Sequence, residues 1–189
     1  MSESEFQVHT TQSAPEASRA LLQGLQDQVG FVPNLAATMA ESPALLSAFL
    51  GLRSAAGRGS LSPVEREIIA IAVATETACT YCVAAHSTFA LKGGAPSAAV
   101  EAVRAGRGPE DARLEALARF ARAVVRRADV GPSVRHLRQS GSSAAQVLDA
   151  VAAIAVPLLA GSAFQVTAAA LDGAFRPQAW SPGTEGATR

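Results

Sequence analysis

The sequence predicts an all-α, single-domain helical bundle, and three observations carry that prediction. Alanine, the best helix former and a poor strand former, fills 42 of the 189 positions. Apolar residues recur at steps of three and four, and no stretch alternates as a strand does. The candidate helices are joined by short connectors punctuated by Gly, Pro and Ser. With 49% apolar and 17% charged residues the chain has ample material for a core, which excludes an intrinsically disordered protein.

The elements follow in order. Glu16 to Val29 is an apolar-periodic run that stops at Gly30, and Phe31-Val32-Pro33-Asn34 makes a connector because the residue before proline avoids the helical region. Ser42-Pro43 opens a helix with an apolar face of Leu45, Leu46, Phe49, Leu50 and Leu52, ended by Gly57 and Gly59. Ser62-Pro63-Val64-Glu65 is a capping box with proline at the first helical position, starting a helix that reaches about Thr77. The next helix carries Cys79 to Leu91 and ends at Gly93-Gly94, after which Ser97 is expected to cap a short helix to Gly106.

Glu110 to Ala128 places Leu114, Leu117, Ala121, Val124 and Ala128 on one stripe, and Gly131-Pro132 breaks it. Ser143 with Gln146 forms a second capping box, opening a long uncharged helix that Pro157 should kink or split. Ser62 and Ser143 would correspond in a weak internal helical duplication. Residues 1–15 are expected to be a flexible N-terminus, 16–175 the helical domain, and 176–189 a frayed tail with Trp180 able to pin part of it.

Met1 to Ala20 has neither a basic nor an apolar region of the secretory type, so a cytoplasmic location is expected. There a CxxC pair points to redox or metal chemistry before a structural disulfide. Ala150 to Leu171 is 22 residues without a charge, long enough for a membrane span. Nine alanines together with Pro157, Gly161, Ser162, Gln165 and Thr167 favour a buried helix instead, and no membrane association is expected. Sixteen basic residues balance sixteen acidic ones. The local excess between Arg113 and Arg138 lacks interleaved aromatics, so it reads as a solvated or interface face and no nucleic-acid partner is expected.

The chemistry concentrates in Thr77-Ala78-Cys79-Thr80-Tyr81-Cys82-Val83-Ala84-Ala85-His86. Helical steps of three and four align Cys79, Cys82 and His86 on one face. Cys79 falls near a helix N-terminus, where free backbone N–H groups favour a thiolate. A second thiol at this spacing can close a disulfide with it, and His86 can move protons. Glu67, twelve positions before Cys79 and beside Ala70, Ile71 and Ala74, is a second candidate for proton transfer, with a buried ion pair to an arginine as its bland alternative. For the cysteines, a structural zinc site and two inert core thiols are the competing readings. His9 and His136 have no partners nearby in the sequence and receive no role.

Glu67-x11-Cys79-x2-Cys82-x3-His86 across a helix–turn–helix resembles the core motif of the alkylhydroperoxidase D-like, or carboxymuconolactone decarboxylase-related, superfamily. Gly30-Phe31-Val32-Pro33-Asn34, Ser42-Pro43 and Leu61-Ser62-Pro63 with Glu65 and Glu67 resemble its peroxidase-related branch. The resemblance implies thiol-dependent reduction of an organic hydroperoxide at the expense of a thiol or dithiol donor, with no metal or other cofactor, in a homotrimer or hexamer. It also implies Cys82 as the peroxidatic cysteine and Cys79 as the resolving one, whereas the helix-terminus argument favours Cys79 as nucleophile. Tyr81 stands where well-characterised members carry a second histidine, so the relay would rest on Glu67 and His86. Two other functions remain open: a decarboxylase or hydrolase of the lactone type, whose members do not depend on a CxxC, and a non-enzymatic zinc-bound or redox-sensing oligomer.

Overall fold

The structure, a computed structural model, describes residues 5–183. It is all helical among those residues: α1 (Glu16–Val29), α2 (Asn34–Met39), α3 (Pro43–Gly57), α4 (Pro63–Glu76), α5 (Thr80–Lys92), α6 (Ser97–Arg104), α7 (Ala112–Val125), α8 (Gly131–Gln139), α9 (Ala144–Thr167) and a 3₁₀ turn, η1 (Gly173–Gln178).

α4 is the centre. Ile68 through Ala74 are all buried, so this helix is apolar all round, and it packs against α5, α6, α7 and α9. One half of the core joins α4 to α6, α7, α8 and the start of α9. The other joins α1, α2, α5, the end of α9 and Phe175 of η1, and both cysteines lie in it.

Both predicted capping boxes form. Ser62 Oγ accepts from the Glu65 N–H at 3.2 Å while Glu65 accepts from the Ser62 N–H at 2.7 Å, and Ser143 and Gln146 repeat the arrangement. Four local readings are corrected. Ser97 is the first residue of α6 rather than its cap, the preceding position being Pro96, which has no side-chain donor or acceptor. Gly131-Pro132 opens α8 as well as separating it from α7, because proline suits a first turn as well as it ends a previous helix. Pro157 does not split α9, which runs unbroken from Ala144 to Thr167 with Pro157 buried inside it. The chain after Pro33 folds into α2 and is no plain connector.

The ends are held more firmly than expected wherever they are described. His9 is buried, with Nε2 2.6 Å from Glu41 Oε2, and Ala14 is buried beside it. At the other end Arg104 donates to the carbonyls of Gln178 and Ala179, and Trp180 packs on the core. A buried arginine answering backbone carbonyls is a contact between residues some 74 positions apart, out of reach of any local pattern. The expected fraying beyond Gly183, and the flexibility of residues 1–4, lie outside the described residues.

α9 is the one helix long and apolar enough to cross a membrane among the described residues. Ala150, Ala153, Ile154, Val156, Pro157, Ala160 and Ala163 are buried against the bundle, while Leu148, Val151 and Val166 face outward. It is a core helix with one apolar face left open, rather than one buried on most sides.

Candidate functional site

The site begins with the corner between α4 and α5. α4 ends in a Schellman arrangement: the Cys79 N–H reaches the Ala74 carbonyl at 2.9 Å and the Ala78 N–H reaches Thr75 at 3.3 Å. That motif needs a left-handed residue, usually glycine. Here Ala78 takes it, at φ 51°. The next residue, Cys79, is already the N-cap of α5, its Sγ accepting from the Cys82 N–H at 3.3 Å. Two helices are therefore joined without a loop, and the strained alanine sets where Cys79 lies.

Both thiols are free and almost fully buried. They differ in acidity. The Cys82 thiol donates to Cys79, which, with the Cys82 and Tyr81 N–H groups of the helix start, holds the Cys79 thiol below its ordinary range despite burial. The same bond, and after it burial and the charge on Cys79, push the Cys82 thiol far up. The two shifts run in opposite directions, so of the two sulfurs Cys79 is the one that gives up its proton more readily.

Of the four residues singled out from the sequence, Glu67, Cys82 and His86 line one cavity of about 550 Å³. His86 Nδ1 lies 2.7 Å from Glu67 Oε2, both side chains partly exposed to the cavity. That contact replaces the bland alternative for Glu67: the buried arginine pair in this region belongs to Glu65, which is hydrogen-bonded to Arg113 of α7. Glu65 would be raised by burial alone, but the Ser62 N–H and the Arg113 guanidinium win and hold its carboxyl below the usual range. His9–Glu41 and His136–Glu115 are equally short. A histidine–glutamate contact is thus common in this molecule, and only the one at His86 shares a cavity with a thiol.

Cys79 is not in that cavity. It opens on a second one of about 320 Å³, with Thr77, Ala78, Leu158, Gly161, Ser162, Phe164 and Gln165. The helical alignment of the three side chains, expected from spacing, fails at Cys79 because this residue caps α5 instead of lying within it.

Tyr81 also lines the cavity, with its hydroxyl tied to residues of other elements. Its hydroxyl donates to Asp172 and accepts from the Leu35 N–H at 3.3 Å, and burial together with the bond to Asp172 raises its phenol further out of range. Asp172 also accepts from the Asn34 N–H, so it ties α2, α5 and η1 together. Sequence reading passed over Asp172. Its signal was its isolation, as the first charge after the 22-residue neutral stretch. The cavity wall that sequence did not anticipate comes from α3, where Phe49, Leu50 and Arg53 face α5 across the space.

Among the described residues no group of three or more His, Cys, Asp or Glu side chains converges as metal ligands would.

Residues 43–126 match the model of the carboxymuconolactone decarboxylase family. No curated protein matches the chain. Among solved structures, a peroxidase-related protein with the alkylhydroperoxidase D core from Ralstonia eutropha JMP134 superposes with a TM-score of 0.80 at 24% identity, over 93% of this chain and 95% of that one. A peroxidase-related protein from Silicibacter sp. TM1040 gives 0.78 at 22% identity, covering 92% and 93%. The debrominase Bmp8 in complex with 2,3,4-tribromopyrrole gives 0.77 at 20%, covering 93% and 97%. These likenesses establish a shared fold over nearly the whole chain. The segment 43–126, which contains Glu67, Cys79, Cys82 and His86, is similar to the carboxymuconolactone decarboxylase family, and the chain as a whole has the alkylhydroperoxidase D-like fold.

Proposed function

We propose that the protein is a dithiol oxidoreductase that reduces a small apolar hydroperoxide. The observation that carries this reading is that Cys82 shares a largely apolar cavity with the Glu67–His86 pair while bonded to a second thiol. A structural dithiol requires neither a neighbouring acid–base pair nor a space for a ligand.

The chemistry runs as follows. The proton shared between the sulfurs moves to Cys79, leaving a thiolate on Cys82. Cys82 Sγ attacks the terminal oxygen of the hydroperoxide, the O–O bond breaks, and the departing alkoxide takes a proton from the His86–Glu67 pair, giving an alcohol and a sulfenic acid on Cys82. Cys79 then attacks the sulfenic sulfur and water leaves. The dithiol and hydroperoxide have become a disulfide, an alcohol and water, and a thiol or dithiol donor must return two electrons.

The debrominase among the structural neighbours supports a related reading, in which the same dithiol delivers two electrons to a carbon–halogen bond. The apolar lining of the Cys82 cavity suits either substrate. Lactone decarboxylation or hydrolysis needs no dithiol and leaves the Cys79–Cys82 contact without a purpose. Self-association as a homotrimer or hexamer is supported by the outward Leu148, Val151 and Val166 on α9, whose one charged residue, Asp149, is bonded to Ser60.

The test is a thiol count before and after one equivalent of cumene hydroperoxide, read beside alcohol formation. Loss of both thiols with one cumyl alcohol per chain is expected. Thiols that persist with no alcohol formed overturn the peroxidase.

A further inference from the structure

Several arginines of this chain are answered by a carboxylate or by backbone. Arg113 pairs with Glu65, Arg126 with Glu76, and Arg104 donates to the Gln178 carbonyl. Two arginines on the wall of the Cys82 cavity differ. Arg53 of α3 is exposed and makes no hydrogen bond or ion pair among the described residues. Arg66 of α4 donates to the Leu61 carbonyl and has no carboxylate partner among them. The acid on that wall, Glu67, is taken up by His86. The two arginines and Glu67 leave one positive charge over, beside a space whose other walls are largely apolar.

The groups are also ordered along the α4–α5 hairpin. Counted from its corner, Cys82 comes first, and His86 with its contact to Glu67 lies four residues on, about 6 Å by helix rise. Arg66 is one residue farther from the corner than Glu67. The positive charge thus lies beyond the acid–base pair as seen from the sulfur.

We propose that this cavity takes a monocarboxylate: the substrate is an apolar hydroperoxide that ends in one carboxylate, held by Arg53 and Arg66 while the peroxide group lies at Cys82. The proposal rests on the dithiol-oxidoreductase reading above and names its substrate class. A guanidinium presents a planar fork that fits both carboxylate oxygens, and such charge-assisted bonds are stronger than neutral ones. A fully exposed pair would contribute little. Here the apolar wall that includes Phe49 and Leu50 lowers the dielectric around the pair and strengthens the attraction. A neutral substrate would leave both guanidiniums to water, and a dianion would exceed the surplus charge. The order of groups matters too, because an anion held against Cys82 would oppose formation of its thiolate. The redox step keeps its balance: dithiol and hydroperoxide become a disulfide, a hydroxy acid and water, and the thiol or dithiol donor returns two electrons.

The experiment uses ligands that cannot react. The reduced, full-length protein is titrated calorimetrically with 4-phenylbutyrate and with 4-phenylbutyramide, which has the same body without the charge. The acid should bind roughly tenfold more tightly than the amide, the effect of one net charge-assisted contact. Arg53→Gln and Arg66→Gln should each cut that preference severalfold. Arg53 is exposed and unpaired, so its variant guards against a folding defect in the other. Arg119→Gln, which removes an exposed arginine of α7 outside the cavity, should keep the wild-type preference. Bound acid should also shield Cys82 from iodoacetamide. Equal affinities for acid and amide, or no binding by either, overturn the proposal. So does an equal loss of preference in Arg119→Gln, or binding that leaves Cys82 unshielded. No redox step enters these titrations, so failure of cumene hydroperoxide to oxidise the protein would defeat the peroxidase reading alone.

Discussion

His86 Nδ1 and Glu67 Oε2 meet at 2.7 Å across the α4–α5 interface, on the wall of the cavity that Cys82 enters. The carboxylate fixes the ring and leaves Nε2 as the nitrogen free to exchange protons with a bound molecule. In the proposed reaction, removing either group would take away the proton source for the departing alkoxide. Glu67→Gln and His86→Asn should each slow oxidation by cumene hydroperoxide by about 10²-fold or more, the usual weight of general acid–base catalysis. Transient thiol-loss kinetics check this. His136→Asn, which breaks the equally short contact to Glu115, should leave the rate unchanged.

The opposite shifts of the two thiols predict a pH profile. Cys79 is depressed, so its alkylation by iodoacetamide should reach half its limiting rate below the value of about 8.5 for a free thiol. Cys82→Ala removes the thiol that donates to it and should move the midpoint upward. Cys79→Ala should move the Cys82 midpoint downward, since its elevation stems first from the bond to Cys79. Site-resolved alkylation by mass spectrometry gives all three midpoints.

These residues also mark what sequence could and could not deliver. Helix starts were legible where a local code exists: Ser62 with Glu65 and Ser143 with Gln146 each hold two backbone partners within three residues. Cys82, His86 and Glu67 were legible because their spacing needs only two adjacent helices. The position of Cys79 was not, because it depends on Ala78 accepting a left-handed conformation that favours glycine and closing the α4–α5 corner without a loop. Tyr81 could be recognised as a departure from the family pattern, but its task depends on Asp172, 91 positions away. The long-range anchors, Arg104 to the carbonyls of 178 and 179 and His9 to Glu41, carry no local signature at all.

Tyr81 predicts a separation of stability from chemistry. Tyr81→Phe leaves buried Asp172 with only its backbone partner at Asn34 and should cost about 1–3 kcal/mol of stability. The oxidation rate should hold at temperatures where the variant is folded. Thermal unfolding beside thiol-loss kinetics reads both, and a large loss of rate in the folded variant would place Tyr81 in the proton relay beside Glu67 and His86.

Ala78 predicts a gain. A left-handed alanine costs about 1–2 kcal/mol, and glycine gives back about 0.5–1 of that in unfolded-chain entropy. Ala78→Gly should therefore stabilise the protein by about 0.5–1 kcal/mol, a rise in Tm of a few degrees for a chain of this length. Denaturant and thermal melts check the sign.

Glu65 predicts acid sensitivity. Its carboxyl is lowered in the folded protein, so its contribution is present above the unfolded-state value of about 4.3 and disappears as pH falls through the folded one. Between about pH 5 and pH 3 the wild type should lose more stability than Glu65→Gln, which has no such proton to take up. Equal losses would remove the Ser62–Glu65–Arg113 network from the account.

In the proposed reaction Cys82 reacts first and Cys79 closes the disulfide. Dimedone trapping of sulfenic acid after one equivalent of cumene hydroperoxide, in Cys79→Ser and in Cys82→Ser, tests it most directly. The account predicts one dimedone adduct on Cys82 in the Cys79→Ser protein and none on Cys79 in the Cys82→Ser protein. An adduct on Cys79 with Cys82 unmodified would contradict it, placing the attacking thiolate in the second cavity.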